Sequence, residues 1–140
     1  MWFCCGRVIV SNIVIFGGGI GQPFITTDYP SVQRALDINA DVVLMAKNGV
    51  TGVYDKNPDQ CEDARRYKTI TFNEVIERNL EVADQSAFIL ACDFNLPFYV
   101  FDFKNKDCIK DICECRDVGT YIAHEIPIEW YWNILNATLN

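Results

Sequence analysis

The sequence predicts an α/β layered domain with a largely parallel sheet. Two observations carry this. Short apolar runs rich in Val, Ile and aromatic residues recur at 8–16, 42–45 and 98–103. Between them lie segments whose apolar residues repeat at helical spacing, with Gly and Pro at the junctions. The composition agrees: 140 residues, 50% hydrophobic and 22% charged. That is enough for one domain with a core, and it excludes wholesale disorder.

The elements follow in order. Residues 8–16 are Val- and Ile-rich, end at Gly17, and read as a buried strand. Residues 17–28 hold four glycines, one proline and two threonines and read as loop. A helix is expected over 31–38, with Val32, Ala35 and Leu36 on one face and Asp28 or Ser31 as its cap. Residues 41–46 form a second buried strand, and 47–60 a long polar loop with Gly49, Gly52 and Pro58. Thr71-Phe72-Asn73-Glu74 fits a capping box, starting a helix that runs to Glu77 or Arg78. Another helix starts near Asp84, carries Ala87, Leu90, Ala91 and Phe94, and stops at Leu96-Pro97. Residues 98–103 read as a strand, 105–113 as a helix with Ile109 and Ile112 inward, and 119–123 as a last strand. The aromatic tail after His124 is either a docking helix or unstructured.

Lys and Arg number 12 against 19 Asp and Glu, a net charge of −7. This excludes nucleic-acid binding through a basic surface but not a small phosphorylated ligand held by backbone amides. No apolar stretch reaches the ~18 residues of a membrane span, and the N-terminus lacks the pattern of a secretory signal. A cytoplasmic protein without membrane contact is expected. The seven cysteines form no C-x-x-C pair and His124 is the only histidine. A zinc site is therefore not expected, and the thiols are read as free or buried.

Three segments can carry chemistry. Residues 17–28 join a strand to a helix, and glycines there let the backbone approach an anion, with Thr26 and Thr27 adding hydroxyls. By composition the same segment is equally a tight turn. No Gly-Lys-Ser/Thr follows, so it is not a Walker loop. The loop after the second strand leaves a strand end, where open α/β sheets bind ligands. Tyr54 there can stack on a base and Lys47 or Lys56 can meet phosphate; a solvated hairpin reads equally well. Asp84 opens a helix, for which a plain N-cap is the simpler reading. Asp93, Asp102, Asp107 and Asp111 read as solvated charges.

Taken in order, these segments resemble the bacterial uridylate (UMP) kinases of the amino-acid-kinase superfamily. The motifs are Pro23-Phe24-Ile25-Thr26-Thr27-Asp28, Ala40-Asp41-Val42-Val43-Leu44, and Val50-Thr51-Gly52-Val53-Tyr54 ending in Asn57-Pro58. Tyr67, Thr71-Phe72-Asn73-Glu74-Val75, Leu80-Glu81-Val82-Ala83-Asp84, Ala87-Phe88, Asn95-Leu96-Pro97 and Asp117-Val118-Gly119-Thr120 follow at natural spacing. The resemblance runs from Gly17 to Thr120.

The resemblance implies a three-layer amino-acid-kinase-like fold, and transfer of the ATP γ-phosphate to UMP, giving UDP, with Mg²⁺, in pyrimidine nucleotide biosynthesis. It assigns UMP binding to Ile20, Gly21, Gln22, Pro23, Phe24, Ile25, Thr26 and Thr27. It assigns ATP binding to Asn48, Tyr54 and Asn57, and a supporting catalytic role to Asp84, which in the family organises a lysine. Ile20, Gln22, Thr51 and Asn57 replace a threonine, an asparagine and two aspartates of the family pattern, which weakens nucleotide contacts. The expected division is an unmatched segment and first strand at 1–16, a C-terminal, nucleotide-binding half at 17–123 and an unmatched tail at 124–140. The family's N-terminal half, with its phosphate-binding lysine, is expected to be missing. The family is a homohexamer. The alternative function is a non-catalytic nucleotide-binding or oligomerising fragment.

Overall fold

The computed structural model describes residues 14–17, 19, 21, 23, 26–104 and 106–131. Its elements in chain order are α1 (Asp28–Asp37), β1 (Val43–Lys47), β2 (Tyr67–Thr71), α2 (Phe72–Glu77), α3 (Gln85–Asp93), β3 (Phe98–Asp102), α4 (Cys108–Cys113), β4 (Gly119–Ala123) and β5 (Glu129–Trp130). The strands form one sheet in the order β1-β3-β4-β2-β5. The α/β class is the expected one. The sheet, however, is mixed rather than largely parallel: β1/β3 and β2/β4 are parallel, while β3/β4 and β2/β5 are antiparallel.

The antiparallel β3/β4 pair has a simple cause. Phe101 lies opposite Gly119, so β4 starts at the end where β3 finishes. The six residues of α4 rise about 9 Å, too little to carry the chain back along β3 for a parallel crossover. Of the expected inward pair on α4, Ile109 is exposed and Ile112 half-buried; Cys108 is the buried residue.

Alternate residues of the central strands supply one buried face: Met45 on β1, Phe98 and Val100 on β3, Ile122 on β4 and Ile70 on β2. Val32 and Ala35 of α1 and Ala87, Phe88 and Ala91 of α3 belong to the same core cluster. Phe88 packs between Phe72 and Phe98, with ring centroids 5.0 and 5.8 Å away. Strand β1 is less buried than its sequence suggests, because it is the sheet edge among the described residues and exposes Leu44.

α1 starts a turn before its expected position. Pro30 falls in its first turn, where a missing N–H is harmless. Its N-cap is Thr27, not Asp28 or Ser31, and the Ser31 hydroxyl donates back to the Thr27 carbonyl at 2.6 Å. The capping box forms by half: Thr71 Oγ1 accepts from the Glu74 amide at 3.2 Å, but the Glu74 carboxylate pairs with Arg78.

The four helices among the described residues end alike. Asn39, Asn79, Asn95 and Cys115 adopt φ between 51 and 58°. Around each, two amides close onto the last turn, as in Ala40 N to Ala35 O and Asn39 N to Leu36 O. This is the Schellman ending, and asparagine tolerates its left-handed residue better than most side chains.

Of the expected first strand, residues 8–13 lie outside the described residues. Val14, Ile15 and Phe16 are exposed and belong to no strand of the sheet. The tail after His124 is neither of its two expected forms as far as Tyr131. It adds β5 to the sheet edge, and Trp130 stacks on Tyr67 with centroids 4.0 Å apart.

Candidate functional site

Lys47 and Asp102 are register partners at the carboxyl ends of β1 and β3. The starts of α1 and α3 come to the same corner. Asp28, the first residue of α1, holds the Asp84 amide through Oδ2 at 3.2 Å and lies 4.0 Å from Lys47 Nζ. The Thr26 hydroxyl donates to the Asp84 carboxylate and accepts from the Asp28 amide at 3.2 Å. Thr26, Asp28, Lys47 and Asp84 thus form one connected polar group. It sits where the positive ends of two helix dipoles meet; the two carboxylates complement that field, and Asp28 offsets the Lys47 ammonium.

The simpler reading of Asp84 holds for its backbone only. It occupies the N-cap of α3, yet its side chain makes no capping bond and is spent on Thr26. Asp28 and Lys47 are each about one-third exposed, so the group is reachable from solvent.

The loop from Asn48 to Asn57 leaves this corner. Three contacts fix it. Asp102 Oδ1 accepts from the Gly49 and Lys104 amides, both at 3.0 Å. Those two amide donors hold the Asp102 carboxyl below the usual carboxylate range, the Lys104 amide contributing most. Asp102 is therefore a tether and not the solvated charge expected. The second contact is buried: Thr120 Oγ1 accepts from the Val53 amide at 2.9 Å and donates to the Tyr67 carbonyl at 2.5 Å. Third, Arg66 donates to the Thr51 carbonyl at 2.9 Å and to Asp117 Oδ1 at 3.1 Å. Gly52 fits between these parts. A Cβ there would meet Thr120 Oγ1 at 2.4 Å and Arg66 Cδ at 3.0 Å, so no larger residue enters without moving them.

The expected ATP-side residues are distributed along this loop. Asn48 is exposed next to Lys47. Tyr54 is half-buried, bridges to Arg66 through its backbone, and shares a 2.7 Å hydrogen bond between its hydroxyl and that of Thr51. Thr51, which stands where the family pattern has an aspartate, thus orients Tyr54. Asn57 accepts from the Asp59 amide at 2.9 Å and shapes its own turn.

Of the expected UMP-side residues, Ile20, Gln22, Phe24 and Ile25 lie outside the described residues. Gly21, Pro23, Thr26 and Thr27 are exposed, and Gly21 takes φ +69°. Thr26 alone of these is joined to the corner by side-chain bonds. Sequence reasoning passed over Arg66 and gave Thr120 no role of its own. Neither has a local signature, since Thr120 reaches Val53 across 67 positions and Arg66 reaches Asp117 across 51.

The His124 ring nitrogen Nε2 donates to the Cys92 carbonyl at 2.7 Å, which leaves it unable to act as a base toward the nearby Cys92 thiol. No group of three or more metal-ligating side chains occurs among the described residues. No helix among them is long and apolar enough to cross a membrane.

The chain is similar to known proteins over most of its length. The model of the amino acid kinase family matches residues 7–102. A uridylate kinase of Frankia casuarinae is 52% identical over 110 residues, covering 79% of this chain and 42% of the relative. A uridylate kinase of Deinococcus radiodurans is 50% identical over 111 residues, covering 79% and 45%. The crystal structure of the UMP kinase from Bacillus anthracis superposes with a TM-score of 0.79 at 44% identity, covering 84% of this chain and 48% of that one. The chain spans less than half the length of the relatives it matches.

Proposed function

The chain belongs to the amino acid kinase family, and from that membership we propose that it forms the nucleotide-binding half of a uridylate kinase. The reaction is transfer of the ATP γ-phosphate to UMP, giving UDP. The observation that carries the reading is the corner itself. Thr26, the end of the UMP-side segment, and Lys47, the start of the ATP-side loop, are joined through Asp84 and Asp28. A phosphoryl group passing between two nucleotides needs both held at one place, and positioning with charge neutralisation does most of the catalytic work.

The residues have fitting roles. Thr27 carries an exposed hydroxyl that can donate to UMP, while the Thr26 hydroxyl, whose proton goes to Asp84, keeps one lone pair with which to accept from it. Asn48 and Tyr54 lie along the loop where the adenosine end of ATP would rest. Lys47 is the cation at the strand end, and Asp28 and Asp84 hold it and Thr26 in place. Mg²⁺ suits this arrangement in its ordinary manner, with one or two carboxylates and the rest of its shell from phosphates and water. The part-exposed Asp28 carboxylate would help to hold it, and its charge would offset that of the phosphates. Turnover is proposed for the complete fold, since the relatives are more than twice as long as their matched part. Cytoplasmic nucleotides are the substrates this reading implies.

Calorimetry of the full chain with ATP–Mg²⁺ and with UMP, followed by a coupled assay for UDP, tests the proposal. Binding of either nucleotide supports it, with UDP formed only when the rest of the fold is supplied. A folded chain that binds neither nucleotide overturns it.

A further inference from the structure

We propose that β5 is a strap that positions the ATP-side loop, with Arg66 as the positioning residue and Tyr131 as its clamp. The proposal rests on the nucleotide reading above for its consequence, though not for its geometry. β5 and Tyr131 lie beyond the residues matched by the family model, which end at 102.

Arg66 is the one charged residue buried among those described, at 8% exposure. A buried guanidinium needs its donors met and its charge balanced. The guanidinium is met from three sides, and the backbone adds a fourth contact. Nη1 donates to the Thr51 carbonyl and Nη2 to Asp117. The guanidinium carbon lies 4.1 Å over the Tyr131 ring. The Arg66 carbonyl accepts from the Tyr131 amide at 2.9 Å. One residue therefore joins the loop, the start of β4 and the end of β5. The Tyr131 ring covers the side of the guanidinium left open by its hydrogen bonds, a contact that strengthens as it is desolvated.

The rest of β5 reinforces the seat. Trp130 lies between Tyr67 and Arg65, whose guanidinium carbon is 4.2 Å from its ring centre. Lys68 pairs with Glu129 at 3.2 Å. Removing the Tyr131 ring opens Arg66 to water and frees it to leave the Thr51 carbonyl. Tyr54 follows, because the Thr51 hydroxyl orients it. The UMP-side corner, built on Thr26, Asp28 and Asp84, shares none of these contacts.

The test compares the wild-type full chain with Tyr131→Ala and Tyr131→Phe. Tyr131 is 42% exposed, so its truncation leaves the core intact; a thermal melt verifies this. Two readouts are taken: amide hydrogen exchange over residues 49–55 without nucleotide, and calorimetric affinity for ATP–Mg²⁺ and for UMP. Tyr131→Ala is expected to speed loop exchange and weaken ATP about fivefold or more through lost preorganisation, with UMP affinity unchanged. Tyr131→Phe keeps the ring face and is expected to restore both. Unchanged loop exchange in Tyr131→Ala, equal weakening of ATP and UMP, or failure of phenylalanine to restore the loop each overturns the strap. A wild-type chain that binds neither nucleotide overturns the nucleotide reading instead, and the exchange comparison still decides the strap.

Discussion

The Thr120 hydroxyl holds the Val53 amide at 2.9 Å across 67 positions of sequence. Because the same oxygen donates to the Tyr67 carbonyl, one buried hydroxyl ties the candidate nucleotide loop to two strands. Thr120→Val keeps the shape and removes both bonds. A buried amide and a buried carbonyl then lose their partner, at about 1–3 kcal/mol for each group left unmet. Urea unfolding is expected to show a loss of that size, with Thr120→Ser recovering most of it. Equal stability of the valine variant and wild type would mean that the hydroxyl is replaceable by solvent.

Asp102 makes the second tether, and it titrates. Its folded pKa lies below the ordinary aspartate value of 3.8, because the Lys104 and Gly49 amides stabilise the carboxylate. The sign follows: the tether's contribution is fully present above the unfolded value and is lost as pH falls through the lower, folded value. The window is therefore acidic, at and below pH 3.8, and the loop should be indifferent to pH near neutrality. Carboxyl-detected NMR is expected to give a midpoint under 3.8, and the Gly49 amide should shift with the same midpoint. A midpoint at or above the ordinary value would sink this account.

The helix ends offer a stabilising change. Three of the four Schellman endings place asparagine at the left-handed residue, and the fourth places Cys115 at φ 58°. A side chain without asparagine's local hydrogen bonding pays roughly 1 kcal/mol there. Cys115→Asn or Cys115→Gly is expected to raise stability by about 0.5–1 kcal/mol. The thiol is exposed and its side chain is not part of the core, so no packing is lost. A lower unfolding midpoint for both variants would show that Cys115 makes a contact worth more than the strain.

Strands β3 and β4 and helix α3 were legible because each is a strongly patterned run with a clear stop, such as Leu96-Pro97. Strand direction was less legible. Alternating strands and helices imply parallel crossovers, and only the shortness of α4 argues otherwise. Its helical character was readable, but not that it is one and a half turns long. The start of α1 was hidden by Pro30, which reads as a turn unless it falls in a first helical turn. At the site, Thr26 and Asp84 stood out by their places in a Gly-rich turn and at a helix start, and the family motifs supplied the roles proposed for them. Asp102, Thr120 and Arg66 each make a tether to a partner 51–67 positions away, and such pairings leave no trace in local spacing. The recurring Asn39, Asn79 and Asn95, each followed by a small or apolar residue, were a readable helix-stop signal that the periodicity reading did not use.

Asp84 separates the site reading from a purely structural one. If its carboxylate served the helix, its loss would lower stability by about 1 kcal/mol and leave nucleotide binding alone. The carboxylate instead accepts from the Thr26 hydroxyl and makes no capping bond. Asp84→Asn keeps the size and weakens a charge-assisted bond to a neutral one. At this half-buried position the difference is about 0.5–1.4 kcal/mol, or roughly twofold to tenfold in affinity. UMP affinity is therefore expected to fall by that factor, while the urea midpoint moves little. ATP affinity should change less, because the loop's three tethers do not involve Asp84. Calorimetry on the variant, paired with urea unfolding, reads both quantities. A variant that loses stability but keeps UMP affinity would return Asp84 to the role of a helix cap.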